Sequence, residues 1–161
     1  MKRLAYIPLV AALLMATTAF AEVDKIKEVV VTMDLGAVTN PAAALRYAKV
    51  ADDLQGAIAA RVVDRAGEEG MKVDIDISEV ELSNSFTEIV GSADTRLVGV
   101  VHVTDDKNNT NFKTYELTVD VNQAMGFFPE TVDLTKLSAS SDEYYTAMIT
   151  AFADAVVRRL D

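Results

Sequence analysis

The segment MKVDIDISEVEL, residues 71–82, decides the fold of this 161-residue chain. Its apolar positions alternate with polar ones: Val73, Ile75 and Ile77 against Lys72, Asp74 and Asp76. A period of two predicts a strand with one face in the core and one in water. After Glu79 the apolar positions move by one residue, to Val80 and Leu82. Because side chains alternate strictly along a strand, we predict a β-bulge near Ser78 and Glu79.

Three further strands are predicted around this segment. IKEVVVTM, residues 26–33, is rich in β-branched residues, and RLVGVVHVTD, residues 96–105, is apolar on both faces, which is typical of a central strand. FKTYELTVDV, residues 112–121, alternates apolar with polar side chains. The loop DDKNNTN, residues 105–111, has the composition of a hairpin turn, so the third and fourth strands should pair antiparallel.

Two amphipathic helices are predicted on either side of the last three strands. The first starts at Pro41 after an N-cap at Asn40 and runs to about Ala66. Its buried stripe comprises Tyr47, Ala51, Leu54, Ile58 and Val62. The second follows a capping box from Ser140 to Glu143 and runs to about Leu160. Its apolar face comprises Tyr145, Ile149, Phe152, Val156 and Leu160.

The order β-α-β-β-β-α predicts an α+β two-layer sandwich, in which two helices pack on a mostly antiparallel sheet. Because a helix separates the first two strands, the first strand should pair parallel with a later one through a right-handed crossover. No linker or internal repeat divides residues 22–161, which we expect to form a single domain.

The N-terminus has the pattern of a secretory signal peptide. Lys2 and Arg3 precede an apolar run, and Ala19-Phe20-Ala21 fits the small-x-small pattern of a cleavage site. The run is short for a spanning helix, which needs about 20 apolar residues. We expect residues 1–21 to be removed after Ala21, leaving a periplasmic chain without stable membrane insertion. An uncleaved N-terminal anchor is the alternative.

The composition disfavours several functional classes. The formal net charge is −10, and loss of Lys2 and Arg3 with the leader makes the chain still more acidic, which opposes binding to nucleic acid and to anionic lipid. The chain has no cysteine and one histidine, His102, so thiol nucleophiles and sites that need two histidines are excluded. We expect His102 to be a hydrogen-bonded residue of the third strand.

Two groups of oxygen-bearing side chains have alternative interpretations. Asp74 and Asp76 share a strand face, as acid/base pairs can, but alternating acids also form the solvated face of an ordinary half-buried sheet. Four possible calcium ligands lie in the hairpin: Asp105, Asp106, Asn108 and Asn109. Their spacing differs from that of an EF-hand loop and favours a solvated hairpin tip. We therefore predict no catalytic, metal or cofactor site.

The segment MGFFP, residues 125–129, is strongly apolar within a region that lacks clear periodicity. Two adjacent phenylalanines cannot easily both face a core from an irregular loop. Two interpretations stay open: a plug over one end of the sheet, or an exposed patch that binds a partner. Met125, Phe127 and Phe128 are therefore the candidate partner-contact residues.

Two long segments, together with the leader, resemble a group of small Gram-negative envelope proteins of unknown function. They are TNPAAALRYAKVADDLQGAIAARV, residues 39–62, and YYTAMITAFADAVVRRL, residues 144–160. The layout is similar to the domain of the curli-secretion protein CsgG and to the N-terminal domain of TolB, although the lipidated cysteine of CsgG has no counterpart here. The resemblance rests on topology and pattern, without a shared motif. It implies an assembly or accessory role in the envelope and assigns no functional residue.

Together these features predict a protein that is not an enzyme. The first hypothesis is a periplasmic interaction or accessory domain that uses no cofactor and binds an envelope protein of unspecified identity. The second is a small-ligand binding or carrier protein of the periplasm, which would need a sizeable apolar cavity between the helices and the sheet.

Overall fold

The computed structural model describes residues 24–33, 48–81, 96–133 and 141–161. The elements in chain order are β1 Ile26–Met33, α1 Val50–Arg61, β2 Met71–Glu81, β3 Arg96–Asp105, β4 Lys113–Asp120, α2 Val121–Ala124 and α3 Asp142–Val157. Short 3-10 turns occupy Val63–Arg65, Asn109–Asn111 and Met125–Phe127. The predicted α+β order is confirmed, with the one-turn helix α2 added after β4.

The four strands form one sheet in the order β1-β2-β3-β4. β1 runs parallel to β2, whereas β2 with β3 and β3 with β4 are antiparallel. The parallel pairing of the first strand, the central place of β3 and the β3–β4 hairpin are therefore as predicted. Among the described strands, β1 and β4 lie at the two edges of the sheet.

The predicted bulge lies in β2 at Ser78. Ile77 is opposite Gly99 and Glu79 is opposite Val98, so Ser78 is the extra residue. After this shift Val80 lies opposite Leu97, which is buried in the same core as Ile75 and Ile77. A second irregularity, which the sequence pattern did not predict, lies between Ile26 and Glu28 in β1.

Helices α1 and α3 cover one face of the sheet, which confirms the two-layer sandwich. α1 packs against β1 and against α3, and α3 packs against β3 and β4. The side chains between the layers are the most deeply buried in the described residues: Val50, Leu54, Ile58, Val73, Val101, Val103, Phe152 and Val156 each have 0% exposure. None of the helices in the described segments is long and apolar enough to cross a membrane.

The first helix differs from its prediction at both ends, and it starts at Val50 after a turn at residues 48 and 49. The predicted start at Asn40 and Pro41 lies outside the described residues, as does Tyr47. α1 ends at Arg61, and a 3-10 turn follows because Val62 leaves helical backbone angles. In the buried stripe, Val50 takes the place predicted for Ala51, since it lies one helical turn before Leu54.

The last helix begins one residue later than predicted. Ser141, not Ser140, is the N-cap, and its Oγ accepts the Tyr144 N–H at 3.1 Å. The predicted box from Ser140 to Glu143 is therefore wrong, and Ser140 itself lies outside the described residues. With Ser141 as the N-cap, Tyr144 is buried in the core and Tyr145 is partly exposed. Tyr144 therefore takes the place on the apolar face that was predicted for Tyr145. The rest of the predicted face is buried: Ile149, Phe152, Val156 and Leu160.

Gly99 allows α3 to approach the centre of the sheet. It lies on the inner face of β3, and a Cβ at this position would be 2.9 Å from Ile77 Cδ1 and 3.2 Å from Phe152 Cζ. The same Cβ would lie 3.2 Å from the carbonyl oxygen of Asp76, which is backbone and cannot move by itself. Overpacking at such a site forces shifts in both layers.

We expect Gly99→Ala to lower the free energy of unfolding by about 1–3 kcal/mol, because the added methyl group overpacks the interface of helix and sheet. Gly56→Ala is the matched control, since Gly56 is exposed on α1 with nothing within 4 Å of an added Cβ. It should raise the free energy of unfolding by about 0.5–1 kcal/mol through helix propensity. Urea unfolding measures both changes, and equal stabilities for the Gly99 variant and the wild type would contradict this packing.

Candidate functional site

The segment after β4 is held by a capping box that the sequence analysis missed. Asp120 Oδ1 accepts the Gln123 N–H at 3.0 Å, and Gln123 Oε1 accepts the Asp120 N–H at 2.8 Å. These reciprocal bonds start α2, so residues 121–127 are helical rather than irregular. The signal was present, because an aspartate followed three residues later by glutamine is a capping-box pattern.

The three candidate contact residues lie on the 3-10 turn that continues α2, and on the residue after it. Phe127 and Phe128 are half-buried and pack against the core, and the Phe128 ring lies 5.9 Å from the Tyr144 ring at an angle of 50°. Met125 is 48% exposed. The two phenylalanines fit the plug interpretation, because both pack against the core. Met125 fits the patch interpretation, because about half of its side chain is exposed to solvent.

Two other large apolar side chains in the described segments are strongly exposed. Val63 follows α1 and is 64% exposed, and Phe112 precedes β4 and is 67% exposed. β4 runs from Phe112 towards Met125, so Phe112 and Met125 lie at opposite ends of that strand. Met125 is followed within three residues by the half-buried Phe127 and Phe128.

A polar depression of about 220 Å³ lies where α1 and α3 begin. It is lined by Lys49, Asp53, Asp142 and Tyr145. The Tyr145 hydroxyl donates to Asp53 Oδ2 at 2.7 Å, which ties the two helices together. Charged side chains dominate this lining, so it does not offer the apolar cavity that the carrier hypothesis requires.

A second depression, of about 210 Å³, lies on the outer face of the sheet. Asp74 and Asp76 line it together with His102, and both aspartates are exposed. His102 Nδ1 is 3.1 Å from Thr114 Oγ1, so the histidine is the hydrogen-bonded strand residue that was predicted. Within the described segments, no three His, Asp or Glu side chains come close enough to hold a metal ion.

The inner face of the sheet is packed rather than open. Val73, Val101 and Phe152 are fully buried, and Ile75 and Leu97 are each 1% exposed. These side chains fill the space that a carrier would reserve for its ligand.

In the hairpin between β3 and β4, side-chain oxygen atoms accept hydrogen bonds from other groups of the same hairpin. Asp105 Oδ1 accepts the Lys107 and Asn108 N–H groups at 2.9 and 3.1 Å, and Asp105 Oδ2 accepts Asn111 Nδ2 at 2.9 Å. Asn108 Oδ1 accepts the Thr110 N–H at 3.1 Å. This is the predicted hairpin tip. The Lys107 N–H, followed by the Asn111 amide, lowers the pKa of Asp105.

This lowered pKa predicts a pH-dependent contribution to stability. Because the folded pKa lies below the unfolded value of about 4, the contribution is complete above that pH and is lost as the pH falls through the folded value. Asp105→Ala should therefore destabilise the protein at pH 7, and the difference from wild type should shrink below about pH 4. Urea unfolding over pH 7 to 2.5 measures it, with Asn109→Ala as the control, because Asn109 is exposed in the same loop and does not titrate. A difference that stays constant over this range would contradict the assignment.

Comparisons with known proteins give distant structural likenesses. No protein-family model and no curated protein matches the chain. A variant of PelC from Paraburkholderia phytofirmans, solved as a dodecamer, is 12% identical over 85% of this chain and 86% of that chain, with a TM-score of 0.41. A candidate lipoprotein from Caulobacter crescentus CB15 is 10% identical over 82% of this chain and 86% of that one, with a TM-score of 0.40. Likenesses of this degree assign neither a family nor a function, and they do not bear on the resemblance to CsgG and TolB.

Proposed function

We propose that this protein is a periplasmic, non-enzymatic interaction or accessory domain of the cell envelope. Its location is inferred from the leader pattern of residues 1–21. Its contact with a partner is assigned to Met125, Phe127 and Phe128. The observation that carries this assignment is an exposed methionine on a short turn whose two phenylalanines are half-buried against the core.

The construction of this segment suits it to binding. The box from Asp120 to Gln123 and the ring contact between Phe128 and Tyr144 hold the turn in one conformation, so little conformational entropy is lost on association. Methionine and aromatic side chains are also enriched at protein interfaces, and the thioether adapts to irregular surfaces. A partner that covers Met125 would also bury the accessible parts of both phenylalanine rings.

The alternatives have less support from the residues. A carrier needs interior space, whereas Val73 and Phe152 fill the gap between sheet and helices. An enzyme of this composition would have to rely on carboxylates or on His102, which pairs with Thr114 on the outer face of the sheet. A surface that binds a partner needs only exposed apolar side chains on a well-packed segment, which Met125, Phe127 and Phe128 provide.

Recovery of partners from an envelope extract tests the proposed contact. The mature protein is compared with Met125→Glu and with Val63→Glu, a control that adds the same charge at an exposed apolar residue away from the segment. We expect one envelope protein to be retained by the wild type and the Val63 variant. Met125→Glu should reduce its recovery at least about tenfold, because a charge would be buried in an apolar contact. Recovery of the same proteins with all three baits, or of the bait alone, would contradict the contact.

The proposed location has a separate readout. Protein expressed from the full-length gene should appear in the periplasmic fraction with an intact mass that starts at Glu22. Protein that retains residues 1–21 and fractionates with the cytosol would contradict the location, whatever the outcome of the recovery experiment.

A further inference from the structure

The two edge strands of the sheet differ in how their backbone groups are satisfied. On β1, the Val31 N–H donates to Gln55 Oε1 of α1 at 3.1 Å, so a helix side chain blocks part of that edge. On β4, the chain from Lys113 to Val119 makes no backbone hydrogen bond other than those to β3, within the described residues. Every second residue of such a strand presents its N–H and C=O groups to whatever lies beside it.

The two faces beside this edge have distinct chemistry. Thr114, Glu116 and Thr118 are exposed on the outer face. On the inner face Tyr115 is half-buried, and the Arg159 guanidinium lies 4.9 Å from the centre of its ring. A strand added along β4 would therefore place alternate side chains beside a polar row and beside the Tyr115 ring.

The outer face is negative where the edge is open. Glu116 lies opposite Val100, which lies opposite Asp76 on the next strand. Neither carboxylate makes an ion pair in the part of the chain that the structure describes. The whole chain has a net charge of −10, so a second copy would bring further negative charge to this edge. Charge complementarity favours a basic partner over self-pairing.

We propose that β4 is a docking edge for an extended segment of a partner protein, which adds to the sheet as a further strand. The segment carries Lys or Arg opposite Glu116 on the outer face and apolar side chains on the inner face beside Tyr115. Backbone hydrogen bonds supply the affinity, and the alternating side chains supply the specificity. The edge is distinct from the Met125–Phe128 contact, and the proposal stands independently of that contact.

The extent of the added strand follows from the ends of β4. At one end the Asp120 N–H is already taken by Gln123 Oε1, so pairing stops before the capping box. At the other end Lys113 Nζ donates to the Arg159 carbonyl at 3.0 Å, which holds the strand against the turn after α3. The free stretch between them accommodates a segment of about six residues at roughly 3.3 Å per residue.

The test uses the mature protein and a synthetic ten-residue peptide that alternates valine with lysine and threonine. Hydrogen–deuterium exchange should slow at residues 113–119 when the peptide is added, and residues 26–33 should not change. A peptide of the same sequence with every backbone nitrogen methylated should not bind, because it cannot donate to the edge. Glu116→Lys should weaken binding about three- to tenfold, and a peptide with glutamate in place of lysine should recover it. Glu143→Lys, an exposed site on α3, is the control for net charge.

Three results would overturn the proposal. One is unchanged exchange at residues 113–119 with the peptide present at about 1 mM, where even binding with a millimolar Kd would occupy about half of the protein. The second is an equal loss of binding in the Glu116 and Glu143 variants, which would show that net charge alone attracts the peptide. The third is protection of residues 113–119 that appears without peptide and rises with protein concentration, because a second copy would then occupy the edge.

Discussion

The close contact between the Phe152 ring and Gly99 sets the distance between α3 and the sheet. Phe152 is fully buried, and a Cβ on Gly99 would lie 3.2 Å from its Cζ atom, so the helix approaches the strand where no side chain intervenes. α1 packs beside α3, and the two helices share the inner face of one sheet. Protein interiors are close-packed, so a larger side chain at position 99 would displace the helix or the strand. The inner face is therefore covered by the helices, whereas on the outer face Asp74, Asp76 and His102 are exposed and Val98 is buried.

Because the helices cover the inner face, its side chains are not accessible to other molecules. The two proposed contact surfaces lie at the β4 edge and on the segment after β4, away from the filled inner face. His102 pairs with Thr114 on the outer face, and Glu116 lies on the same strand as Thr114. That strand then leads through the Asp120 box into Met125, so the two proposed contact surfaces are consecutive along the chain.

Much of the fold could be predicted because its signals are local. The change of phase after Ile77 required an extra residue, and the bulge at Ser78 supplies it. The start of α3 could not be chosen locally, since two adjacent serines each suit a cap and the burial of Tyr144 decides between them. The MGFFP segment was identified, but its half-burial depends on the packing of Phe128 against Tyr144. The difference between the two edges was not predictable, because it depends on a long-range bond from Val31 to Gln55.

The difference between the helix-covered inner face and the exposed positions of the outer face can be measured by thiol labelling, because the chain has no cysteine of its own. Single substitutions along β2 and β4 alternate between the faces: Asp74→Cys, Asp76→Cys and Thr118→Cys against Val73→Cys, Ile75→Cys and Val119→Cys. The first three should react with a maleimide at the rate of a free thiol. The second three should react at least about a hundredfold more slowly, because labelling then requires local unfolding. Equal rates on the two faces of either strand would contradict the account.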